Sequence, residues 1–309
     1  MNLALIFPGQ GSQHVGMGQD LAEAFPVARA TFEEADDAVG FGLTSLMWEG
    51  PEEALTETQN AQPALFAHSL ATYRVIQESL GTVNAVAGHS LGELSALAAA
   101  GAFAFADGLR AARRRGELMA QAGKETPGTM AAVLGLTSAQ VEPICEEGQA
   151  EGHIVVPANF NSEKQIVLSG DVPGVHWAME AAKAQGAKRV VELNVSGAFH
   201  SPLMAPAAEG LAECLAGFEI RSPSVPVIST VTGEAVAEGD LVRSLLVQQL
   251  TAPVRWKEVI DRMVADDVHT FLEVGPGRVL TGLNKRNAPG KDSRAVNTAD
   301  SIRALETAA

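Results

Sequence analysis

The chain predicts an α/β fold: a mostly parallel β-sheet covered by helices, with a second, smaller sheet inserted into it. Three observations carry this. Short apolar runs alternate with stretches of helical periodicity along most of the sequence, the pattern of buried parallel strands joined by helical crossovers. Glycine-rich loops at 9–11, 88–92 and 275–277 each follow such a run, and ligands of parallel sheets sit outside the carboxyl ends of the strands. Between 128 and 195 the order changes to β-α-β-β-α-β, which is the ferredoxin-like unit.

In chain order, 3–7 is a short buried strand running into the loop Pro8-Gly9-Gln10-Gly11-Ser12-Gln13. Residues 17–38 and 60–80 have helical periodicity; in the second, Ala64, Leu65, Ala67, His68, Ala71 and Val75 fall largely on one face. A strand at 83–87 precedes Gly88-His89-Ser90-Leu91-Gly92, and a helix-prone run follows from Glu93. Residues 107–122 predict a helix with Asp107 as its N-cap; Leu109, Ala112, Gly116 and Ala120 pack inward, and Arg115 lies beside that face. The inserted unit has strands at 130–136, 154–159, 165–169 and 189–194. Its helices span 138–149, capped by Ser138, and 172–185. It starts after the breaker Thr126-Pro127-Gly128 and ends before Ser196-Gly197. The expected division is 1–127 with 196–309 as the large domain and 128–195 as the small one. The large domain resumes with strands at 225–230 and 268–274, the latter ending in Gly275-Pro276-Gly277.

The 309 residues suit one large domain with a smaller companion. A formal net charge of −15 argues against nucleic acid as a partner, since phosphate binding needs a basic face. No apolar run of about 18 residues predicts a membrane span, and the first residues lack the basic start of a signal peptide. Cys145 and Cys214 stand far apart. That predicts a reducing, cytoplasmic setting rather than a disulfide framework or a zinc site.

The sequence Gly88-His89-Ser90-Leu91-Gly92 is the strongest chemical signal. A G-x-S-x-G turn between strand and helix is a nucleophile elbow, the hallmark of an α/β-hydrolase-like sheet. It presents Ser90 at a helix N-terminus, where a developing oxyanion is stabilised. Serine as a mere helix cap would not need glycine on both sides. A serine nucleophile needs a base. Of seven histidines, His200 in Ser196-Gly197-Ala198-Phe199-His200-Ser201-Pro202 is the best candidate, on a loop leaving a strand. His89 and His14 are expected to orient loops or line the pocket, and His68, His153, His176 and His269 read as ordinary polar residues. The acid of a triad is not assignable. Asp107, Asp171 and Glu192 lie between Ser90 and His200, none on a suitable strand end, and a backbone carbonyl is the alternative. The oxyanion donors expected are the N–H groups of Leu91 and of Gln10, whose glycine neighbours allow close approach. Rival readings are a serine hydrolase with the same elbow and base, and a non-enzymatic binding scaffold with a degenerate site.

Taken together, Phe7-Pro8-Gly9-Gln10-Gly11-Ser12-Gln13, Gly88-His89-Ser90-Leu91-Gly92-Glu93, Gly197-Ala198-Phe199-His200-Ser201 and Glu273-Val274-Gly275-Pro276-Gly277 resemble the malonyl-CoA:acyl carrier protein transacylases, in order and over essentially the whole chain. The resemblance implies that Ser90 carries a malonyl ester and that His200 is base, then acid. It places the main-chain carbonyl supporting the histidine at Gln249 and the oxyanion donors at Gln10 and Leu91. It makes Arg115 the partner of the malonyl carboxylate, with Phe199, His89 and Met119 around the substrate. A guanidinium suits a carboxylate because it grips bidentately. Phe199 in that motif implies malonyl over methylmalonyl. Many related domains have histidine where Gly197 stands, although glycine is common in stand-alone members. The resemblance implies no metal or other cofactor, with malonyl-CoA and the phosphopantetheine arm of acyl carrier protein as substrates, in the service of fatty-acid elongation. A monomer is expected. Lys188-Arg189 and Lys285-Arg286 are the basic pairs expected to meet an acidic carrier.

Overall fold

The computed structural model describes residues 2–308. Among the described residues, ten strands form two sheets. Strands β1 (Leu3–Phe7), β2 (Val83–Gly88), β7 (Val227–Ile228), β8 (Ala235–Val236), β9 (Thr270–Val274) and β10 (Asp292–Val296) build the larger, in the order β10-β9-β1-β2-β7-β8. All its pairings are parallel except β7 with β8. Strands β3 (Gly128–Leu134), β4 (Val155–Ser162), β5 (Gln165–Asp171) and β6 (Arg189–Glu192) form an antiparallel sheet in the order β4-β5-β3-β6. This is the predicted class: a mostly parallel sheet with a βαββαβ unit of ferredoxin-like strand order.

Sequence alternation explains the layering. All five residues of β1 are buried. Leu3, Leu5 and Phe7 point into one core, with Val86, Leu94 and Leu97; Ala4 and Ile6 point into the other, with Ala85, Ala87, Trp256 and Phe271. Both faces of the sheet are therefore covered by helices. The small sheet has its own core, where Ala131, Val133, Val155, Ile166 and Leu168 meet Val141, Ile144, Val175 and Ala178. Helices Ser138–Ala150 and Val172–Ala184 supply the last four. Strand β4 is tied to the segment before helix Trp256–Ala265: Phe160 N–H donates to the Val254 carbonyl at 2.9 Å, and Val254 N–H to that of Ala158 at 2.8 Å.

Several boundaries differ from the sequence reading. The helix expected over 17–38 is two, Gln19–Ala24 and Pro26–Val39, because proline at the first position of the second starts a new helix. Asp107 is not an N-cap: its helix begins two residues earlier (Phe105–Glu125), and Asp107 pairs with Arg110 within it. Thr137, not Ser138, caps the next helix, in a capping box with Gln140. The strand read over 225–230 shrinks to Val227–Ile228 beside Pro226. Strands β8 and β10 lie outside the expected elements.

Candidate active site

The site forms where the carboxyl ends of β1, β2 and β9 emerge together. In register, Phe7 faces Gly88 across β1–β2, and Ile6 faces Glu273 across β1–β9. The three glycine loops therefore leave the sheet side by side. The elbow is tight enough that a side chain at either glycine would force the neighbouring backbone to shift. A Cβ on Gly88 would lie 1.9 Å from the Gly92 carbonyl, and one on Gly92 would lie 2.2 Å from the Phe7 carbonyl oxygen. Ser90 takes φ 52°, in the left-handed region. That is the strained nucleophile-elbow geometry, maintained only where the surroundings over-determine it.

His200 also has positive φ, 58°. It leaves the small sheet just before a 3₁₀ turn, Pro202–Met204, which Ser201 caps. Its Nε2 lies 2.8 Å from Ser90 Oγ. Its Nδ1 lies 2.8 Å from the Gln249 carbonyl oxygen and 3.2 Å from that of Ala252. Carbonyls only accept, so Nδ1 carries the proton and Nε2 is left to accept from the serine hydroxyl. Gln249 is the C-cap of helix Gly239–Gln248, so its carbonyl lacks an intrahelical partner and sits at the negative end of the helix dipole. Among the described residues no carboxylate takes this place. Asp107 pairs with Arg110, Asp171 caps the helix Val172–Ala184, and Glu192 bonds Thr129 and His176. Burial, then the neighbouring Arg115 charge, lower the His200 pKa to about 3, against the raising effect of the Gln249 carbonyl.

Arg115 is no surface arginine, whatever Arg113 and Arg114 beside it suggest: it is 1% exposed. One terminal nitrogen donates to Gln62 Oε1 at 2.8 Å; the other donates to Ser90 Oγ at 3.1 Å and Gln249 Oε1 at 3.0 Å. Burial pulls its pKa down to about 10, and the charge of Glu93 raises it. It stays protonated at neutral pH. These contacts do not exhaust its N–H groups.

A cavity of about 610 Å³ gathers the remaining candidates. Gln10, Leu91, His89, Met119 and Phe199 line it together with Ser90, His200 and Arg115. Leu91 is the N-cap of helix Gly92–Ala99, next to N–H groups that a helix start leaves without intrahelical acceptors. Gln10 is steadied by its side chain, which donates to Thr58 Oγ1 at 3.2 Å. His89 Nε2 lies 2.7 Å from Asn161 Oδ1, and its ring packs against Trp256 with centroids 5.5 Å apart; burial lowers its pKa. Met119 accepts through sulfur from Gln62 Nε2 at 3.3 Å. His14 lies elsewhere, lining a separate cavity with His68, Asp20 and Asn297. His68 is less ordinary than expected: burial, then the His14 charge, lower its pKa to about 3.

Sequence reasoning missed several polar side chains around this site, among them Gln62, Glu93 and Asn161. The signal for the first two was available. Gln62 and Glu93 interrupt otherwise apolar helical faces, and such a residue needs a buried partner. Among the described residues no group of three or more His, Cys, Asp or Glu side chains is arranged to hold a metal. Nor is any helix long and apolar enough to cross a membrane.

Residues 4–302 match the model of the acyl transferase domain family. The chain is 47% identical over 284 residues to the malonyl CoA-acyl carrier protein transacylase of Bacillus subtilis (strain 168), covering 92% of this chain and 90% of that one. It is 46% identical over 295 residues to that of Escherichia coli (strain K12), with 95% of each covered. Among solved structures, an acyl carrier protein S-malonyltransferase from Vibrio cholerae superposes with a TM-score of 0.95 at 42% identity, covering 99% of this chain and all of the other. A malonyl-transacylase solved in complex with a type II PKS acyl-carrier protein superposes with a TM-score of 0.95 at 44% identity, covering 100% of both chains. The chain therefore belongs to the acyl transferase domain family, among its malonyl CoA-acyl carrier protein transacylases.

Proposed function

We propose that this chain transfers malonyl from malonyl-CoA to the phosphopantetheine thiol of acyl carrier protein, supplying fatty-acid elongation, with Ser90 as the covalent carrier. The observation that carries the reading is the hydrogen-bonded line from Ser90 Oγ through His200 to the Gln249 carbonyl, with a buried arginine on the same Oγ. Ser90 Oγ attacks the thioester carbonyl as His200 Nε2 takes its proton. The oxyanion is held by the Leu91 and Gln10 N–H groups. The intermediate collapses, the C–S bond breaks, and coenzyme A leaves with the proton from His200. The carrier thiol then repeats the sequence in reverse: His200 takes its proton, sulfur attacks the ester, and Ser90 leaves reprotonated. Atoms and electrons balance without a metal or redox group. Arg115 holds the malonyl carboxylate, and Phe199, His89 and Met119 shape the space around the acyl group.

The division into 1–127 with 196–309 and an inserted 128–195 is part of the reading; the separate core of the antiparallel sheet supports it. So is a cytoplasmic monomer. For carrier docking, Lys285-Arg286 is favoured over Lys188-Arg189. Its helix Val279–Asn287 lends Val279, Leu280 and Leu283 to the cavity wall, and Arg286 bonds the wall residue Gln165 at 3.2 Å. The test is malonyl transfer to holo carrier protein, with apo carrier protein and acetyl-CoA as controls. Transfer to the holo form only, and from malonyl in preference to acetyl, supports the reading; equal use of water and carrier would replace it with hydrolysis. Charge reversal at Lys285 and Arg286 is expected to raise the apparent KM for carrier at low salt, and an unchanged KM removes that docking assignment.

A further inference from the structure

Glu93 is a buried carboxylate to which the proposed reaction gives no task. It sits in the first turn of the helix that follows Ser90 and is 3% exposed. Its Oε2 accepts from Thr230 N–H at 3.2 Å, Thr230 Oγ1 at 2.5 Å and Gln249 Nε2 at 2.6 Å. Burial raises its pKa, and hydrogen bonds from Thr230, Ser229 and Gln249 oppose that rise. The Gln249 side-chain amide stands between this carboxylate and Arg115, with Nε2 on Glu93 and Oε1 accepting from the guanidinium at 3.0 Å. The main-chain carbonyl of the same residue accepts from His200 Nδ1.

The polarity of this line follows from the groups at its ends. An ionised carboxylate only accepts hydrogen bonds and a guanidinium only donates them. An amide between the two has one satisfied orientation. Flipped, it would set NH₂ against the guanidinium and carbonyl against the carboxylate, with all three side chains buried.

We propose that Glu93 is a positioning residue for acyl selection: it locks the Gln249 amide, so that one residue holds the base by its main chain and orients Arg115 by its side chain. The proposal rests on the acyl-transfer reading above. The arrangement also explains why the countercharge stands one amide away. A direct ion pair would engage guanidinium N–H groups that a substrate carboxylate needs. The relay supplies the compensating negative charge in a dry site without occupying them.

The test compares kcat/KM for malonyl-CoA and acetyl-CoA in wild type, Glu93→Gln, Glu93→Ala, Gln249→Met and the Glu93→Ala/Gln249→Met double variant. Glu93→Gln keeps an acceptor for Thr230 and Gln249, whereas Glu93→Ala removes it. Gln249→Met removes the relay but keeps the main-chain carbonyl. The malonyl-to-acetyl ratio should stay within about threefold of wild type in Glu93→Gln. It should fall about tenfold or more in Glu93→Ala and in Gln249→Met, and no further in the double variant. A purely structural role would lower both substrates together and leave the ratio unchanged, which overturns the proposal. So does a Glu93→Gln loss as large as that of Glu93→Ala. If Glu93→Ala does not fold, Gln249→Met against Glu93→Gln makes the same comparison. A wild type with no preference for malonyl would overturn the underlying reading; a selective wild type with unselective effects in the variants overturns the proposal alone.

Discussion

Replacing Arg115 by alanine should convert a malonyl-selective site into one that no longer distinguishes malonyl from acetyl. The guanidinium is enclosed, and its contacts at 2.8, 3.0 and 3.1 Å are all to neutral acceptors, so a substrate carboxylate would be its first direct anionic partner. Removing one member of a buried, hydrogen-bonded charge pair costs about 2–5 kcal/mol. At about 1.4 kcal/mol per decade, malonyl kcat/KM should fall roughly 30- to 3,000-fold. Acetyl has no carboxylate and forfeits none of that energy. Arg115→Lys should recover part of the loss, because an ammonium keeps the charge but not the planar fork. A second consequence is thermodynamic. Burial already raises the Glu93 pKa in the folded state, and removing the nearby cation should raise it further. A carboxyl whose folded pKa exceeds its unfolded one contributes stability below the unfolded pKa and loses it as pH rises through the folded pKa. The Tm deficit of Arg115→Ala should therefore be larger at pH 8 than at pH 5. Steady-state transfer assays with both acyl donors and thermal melts at the two pH values measure this. Equal losses for malonyl and acetyl would refute the anchor role of Arg115.

Other outcomes follow from the same geometry. The His200 pKa, lowered to about 3, lies below its ordinary value, so the imidazole is neutral and ready in the free protein. The pH profile of kcat/KM should show no histidine limb near 6.5, and stability gained from the neutral imidazole should be lost as pH falls from about 6.5 toward 3; a clear inflection near 6.5 would contradict this. Gly92→Ala would press a Cβ to 2.2 Å from the Phe7 carbonyl oxygen. Overpacking of about 1–3 kcal/mol or more should lower Tm by several degrees, roughly 2–4 °C per kcal/mol, and an unchanged melt would mean the elbow is looser than described. Phe199, 6% exposed on the cavity wall, should exclude an α-methyl group, so Phe199→Ala should raise methylmalonyl turnover relative to malonyl. If that ratio does not move, the ring is not the selector.

The parts of the site legible in the sequence are those fixed by backbone geometry. The Gly88–Gly92 elbow is visible because a Cβ at Gly88 or Gly92 would lie 1.9 or 2.2 Å from neighbouring backbone, so glycine stands at both positions. The His200 loop is visible because it leaves a strand toward a proline-started turn. The support of the histidine was harder. No acid between Ser90 and His200 fills the role, because the acceptor is a helix-terminal carbonyl that any residue type could provide. Nothing in the neighbouring residues marks Arg115 as buried, since the partners that bury it, Gln62 and Gln249, lie 53 and 134 positions away. Only the family resemblance pointed to its role. Glu93 was hidden for a different reason: an acidic residue in a first helical turn already has an ordinary explanation in the helix dipole. Strand β10 escaped because Asp292-Ser293-Arg294-Ala295-Val296 has no apolar run; it is an edge strand paired on one side only. The shortened β7 and the split helix at Pro26 show local proline chemistry prevailing over hydrophobic periodicity.

The most direct test of the central claim is intact mass after brief exposure to malonyl-CoA, for wild type and Ser90→Ala, followed by addition of apo or holo carrier protein. The account predicts a malonyl adduct on wild type alone, mapping to Ser90, that moves to holo but not apo carrier. An adduct on Ser90→Ala, or one on wild type that decays as fast without carrier as with it, would contradict it.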